Sequence, residues 1–220
     1  MSTTISHCNE KLKPQVKPDH YYKITYDTKE RFCSYWHQIH EVLSLNPSEV
    51  LEIGIGNGFV SRYLRDRGVN VTTLDIDKDL RPDVVGSVLD IPFPKASFQV
   101  VVCCEVLEHL PYENVSRALS EISRVSKQSL VLSIPDRNRF YRLFLHIPKM
   151  GTIKKLITLP RIKKPIHIFD GEHYWEIGKA GYPLKRIIGD IKNNGLEMLK
   201  TYRIFETPYH RFFVLRKIER

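Results

Sequence analysis

Short apolar runs alternate with helix-like patterns along most of the chain. The apolar runs have strand length and contain many β-branched residues, as in "EVLEIG", "VNVTTLDID", "DVVGSVLD", "SFQVVVCC" and "QSLVLSIP". Between them, apolar residues recur at spacings of three and four, which predicts helices such as "YENVSRALSEISRVS". Strands that are apolar almost throughout, alternating with helices, predict a parallel sheet covered on both faces.

The two ends of the chain add elements of another kind. Near the N-terminus, apolar residues at spacings of three and four predict an amphipathic helix over 28–45. Near the C-terminus, "YPLKRIIGDIKNNG" predicts a helix, and two strands come after it with no helix between them. Such strands are expected to pair as an antiparallel hairpin at the sheet edge. The fold prediction is therefore α/β, with a seven-stranded, mostly parallel sheet and an antiparallel last strand.

Composition sets the domain organisation. With 220 residues, 42% hydrophobic and 27% charged, the chain fits one globular domain, predicted over 21–220. Residues 1–20 are polar, contain two prolines and show no periodicity, which predicts a mobile tail. No apolar run reaches the length of a membrane-spanning helix, and the N-terminus lacks a signal-peptide core. The four cysteines match neither a disulfide framework nor a metal-ligand spacing, so we predict a cytoplasmic protein without a metal.

Three glycines at alternate positions form the most distinctive local pattern. Gly54, Gly56 and Gly58 follow the first strand and precede a helix, where backbone N–H groups and a helix N-terminus can face an anionic group. The dinucleotide-binding fingerprint needs a further spaced glycine where this chain has Phe59. A nicotinamide dinucleotide oxidoreductase is nevertheless the alternative enzyme class that this turn leaves open.

The glycine turn and the segments after it resemble a known enzyme family. "EIGIGNG", read as E-x-G-x-G-x-G, resembles the first motif of class I S-adenosylmethionine-dependent methyltransferases, in their small-molecule, type 11-like branch. The resemblance continues in order through "TLDID", "GSVLDIPFPKASFQVVVCCEVLEHLP" and "LVLSIP", and covers residues 48–135. It implies a Rossmann-like fold, S-adenosyl-L-methionine as cofactor, and methyl transfer as the reaction.

The resemblance also implies cofactor-binding roles at the strand ends. Glu52 would face the ammonium group of the cofactor, Asp75 the ribose hydroxyls, and Asp90 the adenine amino group. The glycines would pass close to the methionine portion. A cofactor with an ammonium and a sulfonium suits carboxylates, which would repel a pyrophosphate. The full implied set is Glu52, Gly54, Gly56, Gly58, Asp75, Ile76, Asp90, Ile91, Cys104 and Glu105.

Catalytic residues are harder to predict from this sequence. Methyl transfer from a sulfonium needs mainly approach geometry and desolvation, and a general base helps only a protonated acceptor. His109 and His173 are the candidates near the expected site, with a capping or solvent-exposed histidine as the alternative for each. The stretch after the fourth strand reads "CEVL" rather than N/D-P-P-Y/F, which disfavours methylation of adenine or cytosine amino groups.

The positive charge is concentrated in one segment. The net charge is +9, and residues 137–169 carry nine basic residues and no acidic one. We predict that residues 136–172 form a basic lid over a small-molecule or lipid-like, anionic acceptor. Contact of residues 137–164 with an anionic membrane, and thus a peripheral location, is a second interpretation. Nucleic acid is a less favoured partner, and a non-catalytic RNA- or membrane-binding module is the alternative outside the enzymes.

Overall fold

The computed structural model describes residues 14–159 and 163–218, which form a layered α/β structure. The helices are α1 (Lys29–Ser44), α2 (Phe59–Asp66), α3 (Val115–Val125) and α4 (Leu184–Asn193). The strands are β1 (Glu49–Ile53), β2 (Asn70–Asp75), β3 (Val84–Val85), β4 (Phe98–Cys104), β5 (Ser126–Pro135), β6 (Phe140–Ile147), β7 (Gly151–Thr158), β8 (Leu196–Arg203) and β9 (His210–Lys217).

Seven strands form the main sheet, in the order β3-β2-β1-β4-β5-β9-β8. β1 pairs in parallel with β2 and with β4, and β9 runs antiparallel to both of its neighbours. This confirms the predicted fold. The chain leaves β1 toward β3 and then returns to β4 on the other side. The order of the strands therefore reverses between β1 and β4, where parallel sheets bind ligands.

The sheet separates two apolar cores. Val50 of β1 faces the core that α1 and α2 cover, while the adjacent Leu51 faces the core that α3 and α4 cover. Val131 and Leu132 of β5 divide in the same way. Because successive side chains of a strand point to opposite faces, a strand between two helix layers must be apolar at nearly every position. This explains the continuous apolar runs in the sequence.

The third strand is shorter than predicted. The expected strand ended near Asp90, but β3 has two residues and pairs only with Leu74 and Asp75. Since β2 ends at Asp75, β3 has no further partner on that side. A turn comes next, in which the Asp90 backbone N–H donates to the Ser87 carbonyl at 3.1 Å.

The basic segment contains a hairpin that lies outside the main sheet. β6 and β7 pair with each other from Phe140–Thr158 to Ile147–Gly151 and form a separate two-stranded sheet. Residues 163–183, which form no helix or strand of their own, precede α4. Arg161, one of the nine basic residues, lies outside the described residues. Among the residues that are described, no helix is long and apolar enough to cross a membrane.

The N-terminal segment differs in part from the predicted mobile tail. Residues 1–13 of that tail lie outside the described residues. Within the described part, residues Pro18–Tyr22 form a 3₁₀-helix. Pro14, Gln15 and Val16 lie against a cavity at the carboxyl ends of the parallel strands.

Candidate active site

A cavity lies at the carboxyl ends of β1, β2 and β4, where the strand order reverses. Its volume is about 180 Å³, and one water needs roughly 10–15 Å³ on the same measure. The cavity therefore has room for a ligand of many atoms. The predicted residues that line it are Glu52, Gly54, Gly56, Asp75, Ile76, Cys104, Glu105 and His109.

The backbone of the glycine turn adopts dihedral angles that favour glycine. Gly54, Gly56 and Gly58 have φ values of 81°, 54° and 70°, in the left-handed region that favours glycine. A Cβ at Gly54 would lie 2.4 Å from Val106 Cγ2, so position 54 cannot hold a larger residue without displacing Val106. Gly58 does not line the cavity, since it precedes α2 as the N-cap residue, behind the turn.

Asp75 holds the turn together at the edge of the cavity. One carboxylate oxygen accepts from the Ile55 backbone N–H and the other from the Asp77 backbone N–H, each at 2.9 Å. Each carboxylate oxygen has a second lone pair, so the group can still accept from ligand hydroxyls. Burial raises the pKa of Asp75, although these backbone N–H groups oppose the shift.

Glu52 is a buried carboxylate in the wall of the cavity. The residue is only 4% exposed, and its Oε2 accepts no hydrogen bond from any described residue. Burial raises the pKa of Glu52 to about 8. A buried carboxylate without a donor is costly unless a ligand supplies one. The ammonium group of S-adenosylmethionine is such a donor, and it carries the charge that favours the ionised form.

The segment before α1 covers the cavity from outside. Tyr21 lies over the glycine turn, such that a Cβ at Gly56 would be 3.7 Å from its ring. Tyr21 and Tyr26 meet edge to face, with ring centroids 5.3 Å apart, and both line the cavity. Sequence analysis missed these contacts, although the aromatic cluster in "HYYKITY" was a signal that the segment is packed.

Two predicted cofactor residues lie elsewhere. Asp90 is exposed and lines a surface depression beside α3, and Ile91 is a core residue, 2% exposed. Neither residue lines the main cavity. Ser87 and Val88, which come shortly before them in the chain, line it instead. The early end of β3 is the reason, because the Ser87–Asp90 turn carries Asp90 away from the sheet.

Glu105 and the two candidate histidines lie together on one side of the cavity. Glu105 has a left-handed φ of 54°, and its Oε1 accepts from the Ser133 hydroxyl at 2.7 Å. The rings of His109 and His173 meet edge to face at 4.9 Å. Burial, with the charge of His173, lowers the pKa of His109. Burial also acts to lower the pKa of His173, but Glu176 and Glu105 outweigh it and raise that pKa.

Two buried carboxylates behind the histidines escaped the sequence analysis. Glu176 accepts from Tyr209 Oη and from Arg137 Nε, and these donors with His173 lower its pKa to about 2 against the effect of burial. Glu108 is fully buried, and neither of its carboxylate oxygens has a hydrogen-bond partner among the described residues. Burial and then the charge of Glu105 raise the pKa of Glu108 well above its usual range.

The fold and the carboxylate-lined turn define an enzyme that holds a cationic nucleoside cofactor at the end of a parallel sheet. The family model for the type 11 methyltransferase domain matches residues 51–133. This match, together with the relatives and structures below, confirms the enzyme class and the cofactor expected from the motifs: a methyltransferase that uses S-adenosylmethionine. The nicotinamide alternative is therefore set aside.

Individual relatives agree with this assignment. A ubiquinone biosynthesis O-methyltransferase from Rickettsia canadensis is 22% identical over 180 residues, which are 74% of this chain and 71% of that protein. A probable S-adenosylmethionine-dependent methyltransferase from Mycolicibacterium smegmatis is 30% identical over 48% of this chain and 47% of its own length.

Solved structures show the same fold. A methyltransferase from Aquifex aeolicus has a TM-score of 0.60 at 14% identity, covering 92% of this chain and 100% of its own. The N-methyltransferase NodS from Bradyrhizobium japonicum, in complex with S-adenosyl-L-homocysteine, has a TM-score of 0.59 at 12% identity, covering 88% of this chain and 90% of its own.

Proposed function

We propose that this methyltransferase acts on a lipid-like, anionic acceptor at the surface of an anionic membrane, and that the β6–β7 hairpin holds the enzyme there. The observation that carries the proposal is a hairpin whose exposed face combines large apolar side chains with lysine. The cofactor, when bound, supplies an electrophilic methyl group. The residues of the chain bind and orient the two molecules and keep water away from the acceptor.

The apolar face arises from the pairing of the hairpin. Tyr141 pairs with Ile157 and Leu145 with Ile153, and alternate residues of each strand share a face. Each of these four side chains is at least 43% exposed. A group of large, exposed apolar side chains on one hairpin is typical of contact with a partner or a membrane.

Positive charge lies on that face and at its end, because Lys155 pairs with Leu143 between the two apolar pairs and Lys149 lies in the turn. Lys149 and Lys155 are exposed on the hairpin, and no acidic residue occurs between residues 137 and 169. Each lysine or arginine close to an anionic lipid surface contributes about 1 kcal/mol. Apolar side chains inserted among lipids, with lysines at the headgroups, are the combination that binds a membrane surface without spanning it.

A groove at the base of the hairpin could admit an anionic headgroup. A second cavity of about 740 Å³ is lined by Arg137, Arg139, Arg142 and Lys179, together with the acidic residues Glu30, Asp136 and Glu206. Arg137 also donates to Glu176, which neighbours the candidate histidines. The groove therefore supports a path by which the acceptor molecule enters from the hairpin and reaches the part of the site that holds Glu176 and the histidines.

The name of one relative supports oxygen as the methylated atom. The Rickettsia canadensis relative is named as an O-methyltransferase of ubiquinone biosynthesis. In this chain, Glu105, His109 and His173 form the polar side of the site, where the proton of an acceptor hydroxyl would be held. We therefore include O-methylation in the proposal.

A transfer assay with two matched phenolic acceptors tests the proposal. One acceptor carries a long alkyl chain and the other does not, and each is offered with methyl-labelled S-adenosylmethionine and vesicles of phosphatidylglycerol or phosphatidylcholine. We expect at least tenfold more label in the long-chain acceptor on phosphatidylglycerol, about 1.4 kcal/mol. Equal labelling of the short acceptor without vesicles, or no labelling of either, would refute this acceptor class while leaving the methyltransferase assignment intact.

A further inference from the structure

Three side chains with metal-binding atoms converge beside the cofactor cavity. A carboxylate oxygen of Glu108 and ring nitrogens of His109 and His173 all lie within 4.8 Å of one another. The sequence analysis predicted no metal from the cysteine spacing, and no short motif joins His109 to His173, which lies 64 positions further on. The fold brings them together through the hydrogen bond from the Tyr174 backbone N–H to the Glu108 carbonyl, at 2.8 Å.

Glu108 is the observation that points to a ligand. The residue is fully buried, and both of its carboxylate oxygens lack a hydrogen-bond donor among the described residues. Most buried polar groups have a partner, and buried charges are paired or coordinate metals. A carboxylate in this position, facing two imidazoles, has the surroundings of a metal ligand.

The two histidines are held in the orientation that metal ligands usually have. His109 Nδ1 lies 2.9 Å from the Glu172 carbonyl and 2.6 Å from Gln15 Oε1, so Nδ1 carries the proton. His173 Nδ1 faces Glu176 Oε1 at 3.4 Å. In both rings Nε2 is then left with a lone pair. Metal-binding histidines almost always donate their other ring N–H to a carbonyl or carboxylate in this way.

We propose that Glu108, His109 and His173 bind a divalent transition-metal ion through one carboxylate oxygen and two Nε2 atoms. Zinc-type ligand distances of about 2.0–2.2 Å place ligand atoms about 3–4 Å apart, so atoms that now lie within 4.8 Å of one another need to close by up to about 2 Å. Two imidazoles with one carboxylate favour a transition metal over calcium or magnesium. The positive ion would also offset the charges of Glu105 and Glu176 nearby.

The location of this metal site gives it a part in the proposed function. His109 and Glu105 line the cofactor cavity, so open positions on the ion would face the acceptor side. An acceptor hydroxyl bound there would lose its proton to water more readily and present an oxyanion. This catalytic part of the inference rests on the proposed O-methylation. The binding of the metal itself does not.

Cobalt(II) binding to chelator-treated full-length protein tests the site, monitored by calorimetry and visible absorption. We expect one Co²⁺ per chain with an absorption band from nitrogen and oxygen ligands, and competition by Zn²⁺. Glu108→Gln and His173→Asn should each weaken binding at least tenfold, about 1.4 kcal/mol. The matched controls Glu113→Gln and His40→Asn change exposed residues and should leave binding unchanged.

Measurements of folding and of cofactor binding distinguish the loss of the metal site from a variant that does not fold. Melting temperature and affinity for S-adenosylhomocysteine are measured on every variant, and if Glu108→Gln does not fold, His173→Asn decides. Absence of stoichiometric binding to the wild type, or equal binding by wild type and the folded variants, would overturn the metal site. Neither result bears on methyl transfer, because the assay for the acceptor class uses a separate readout.

Discussion

The two sides of the active site are constructed in different ways. On the cofactor side, the residues that line the cavity lie at strand ends, within short stretches at residues 52–57, 75–76 and 104–105. On the acceptor side, Glu108 comes from one segment and His173 and Glu176 from another, more than 60 residues later, and the two segments meet only in the folded chain. A binding site made from local turns can be predicted from sequence, whereas one assembled from distant segments needs the structure.

The same contrast applies to the surface that each side presents to solvent. The cofactor cavity is covered by the N-terminal segment, including Tyr21 and Tyr26. The hairpin that adjoins the acceptor side leaves its apolar residues exposed. We infer that the cofactor side is complete within the chain, while the hairpin needs an external surface to cover it. Three predictions, in decreasing order of effect, test whether the two sides can be separated.

The largest effect should come from the carboxylate at the end of β2. Asp75→Ala removes an acceptor for cofactor hydroxyls and both backbone hydrogen bonds of the turn. Hydrogen bonds to a charged group are worth about 1.5–3 kcal/mol, so we expect about a 100-fold loss of S-adenosylhomocysteine affinity by calorimetry. Asp90→Ala is the matched control and should bind normally. A comparable loss in Asp90→Ala would restore Asp90 to the cofactor site and contradict the structure.

A smaller effect should appear on the membrane side alone. Removing two exposed hairpin lysines, in Lys149→Ala with Lys155→Ala, should weaken sedimentation with phosphatidylglycerol vesicles by about tenfold to thirtyfold, at roughly 1 kcal/mol per charge. Cofactor affinity should not change. Lys95→Ala with Lys192→Ala removes the same charge from exposed positions outside the hairpin. If both pairs weaken vesicle binding equally, the hairpin has no special role.

The smallest effect, at most about tenfold for each pH unit, is a pH dependence of cofactor affinity. Burial raises the pKa of Glu52 to about 8, so the free protein holds a proton there at neutral pH. A cationic ligand favours the ionised carboxylate, so binding releases that proton. Affinity for S-adenosylhomocysteine should therefore rise from about pH 6 to about pH 8, by at most about tenfold per pH unit, and then level off.

Calorimetry in two buffers of different ionisation enthalpy measures this proton release directly. Glu52→Gln should bind more weakly and lose the dependence. An affinity of the wild-type protein that does not change over this range would mean that Glu52 does not face the ammonium group.

Much of the fold and the cofactor side could be predicted from sequence. Asp75 lies where the motif placed it, because a strand end is fixed by its own apolar pattern. Asp90 does not lie where the motif placed it, because the length of β3 depends on where its pairing with β2 ends. Glu108 could not be recognised, since a fully buried carboxylate looks in sequence like an ordinary polar position. The hairpin was missed because its two strands pair only with each other, so no alternation with helices marks them.

The central claim is that the glycine-turn cavity, with Glu52 and Asp75, holds S-adenosylmethionine. Calorimetric titration of the purified chain with S-adenosylhomocysteine and, separately, with NAD⁺ tests it most directly. The account predicts one S-adenosylhomocysteine per chain and NAD⁺ binding at least about 100-fold weaker, or about 2.7 kcal/mol, since buried carboxylates repel a pyrophosphate. NAD⁺ affinity equal to or greater than that of S-adenosylhomocysteine would contradict it.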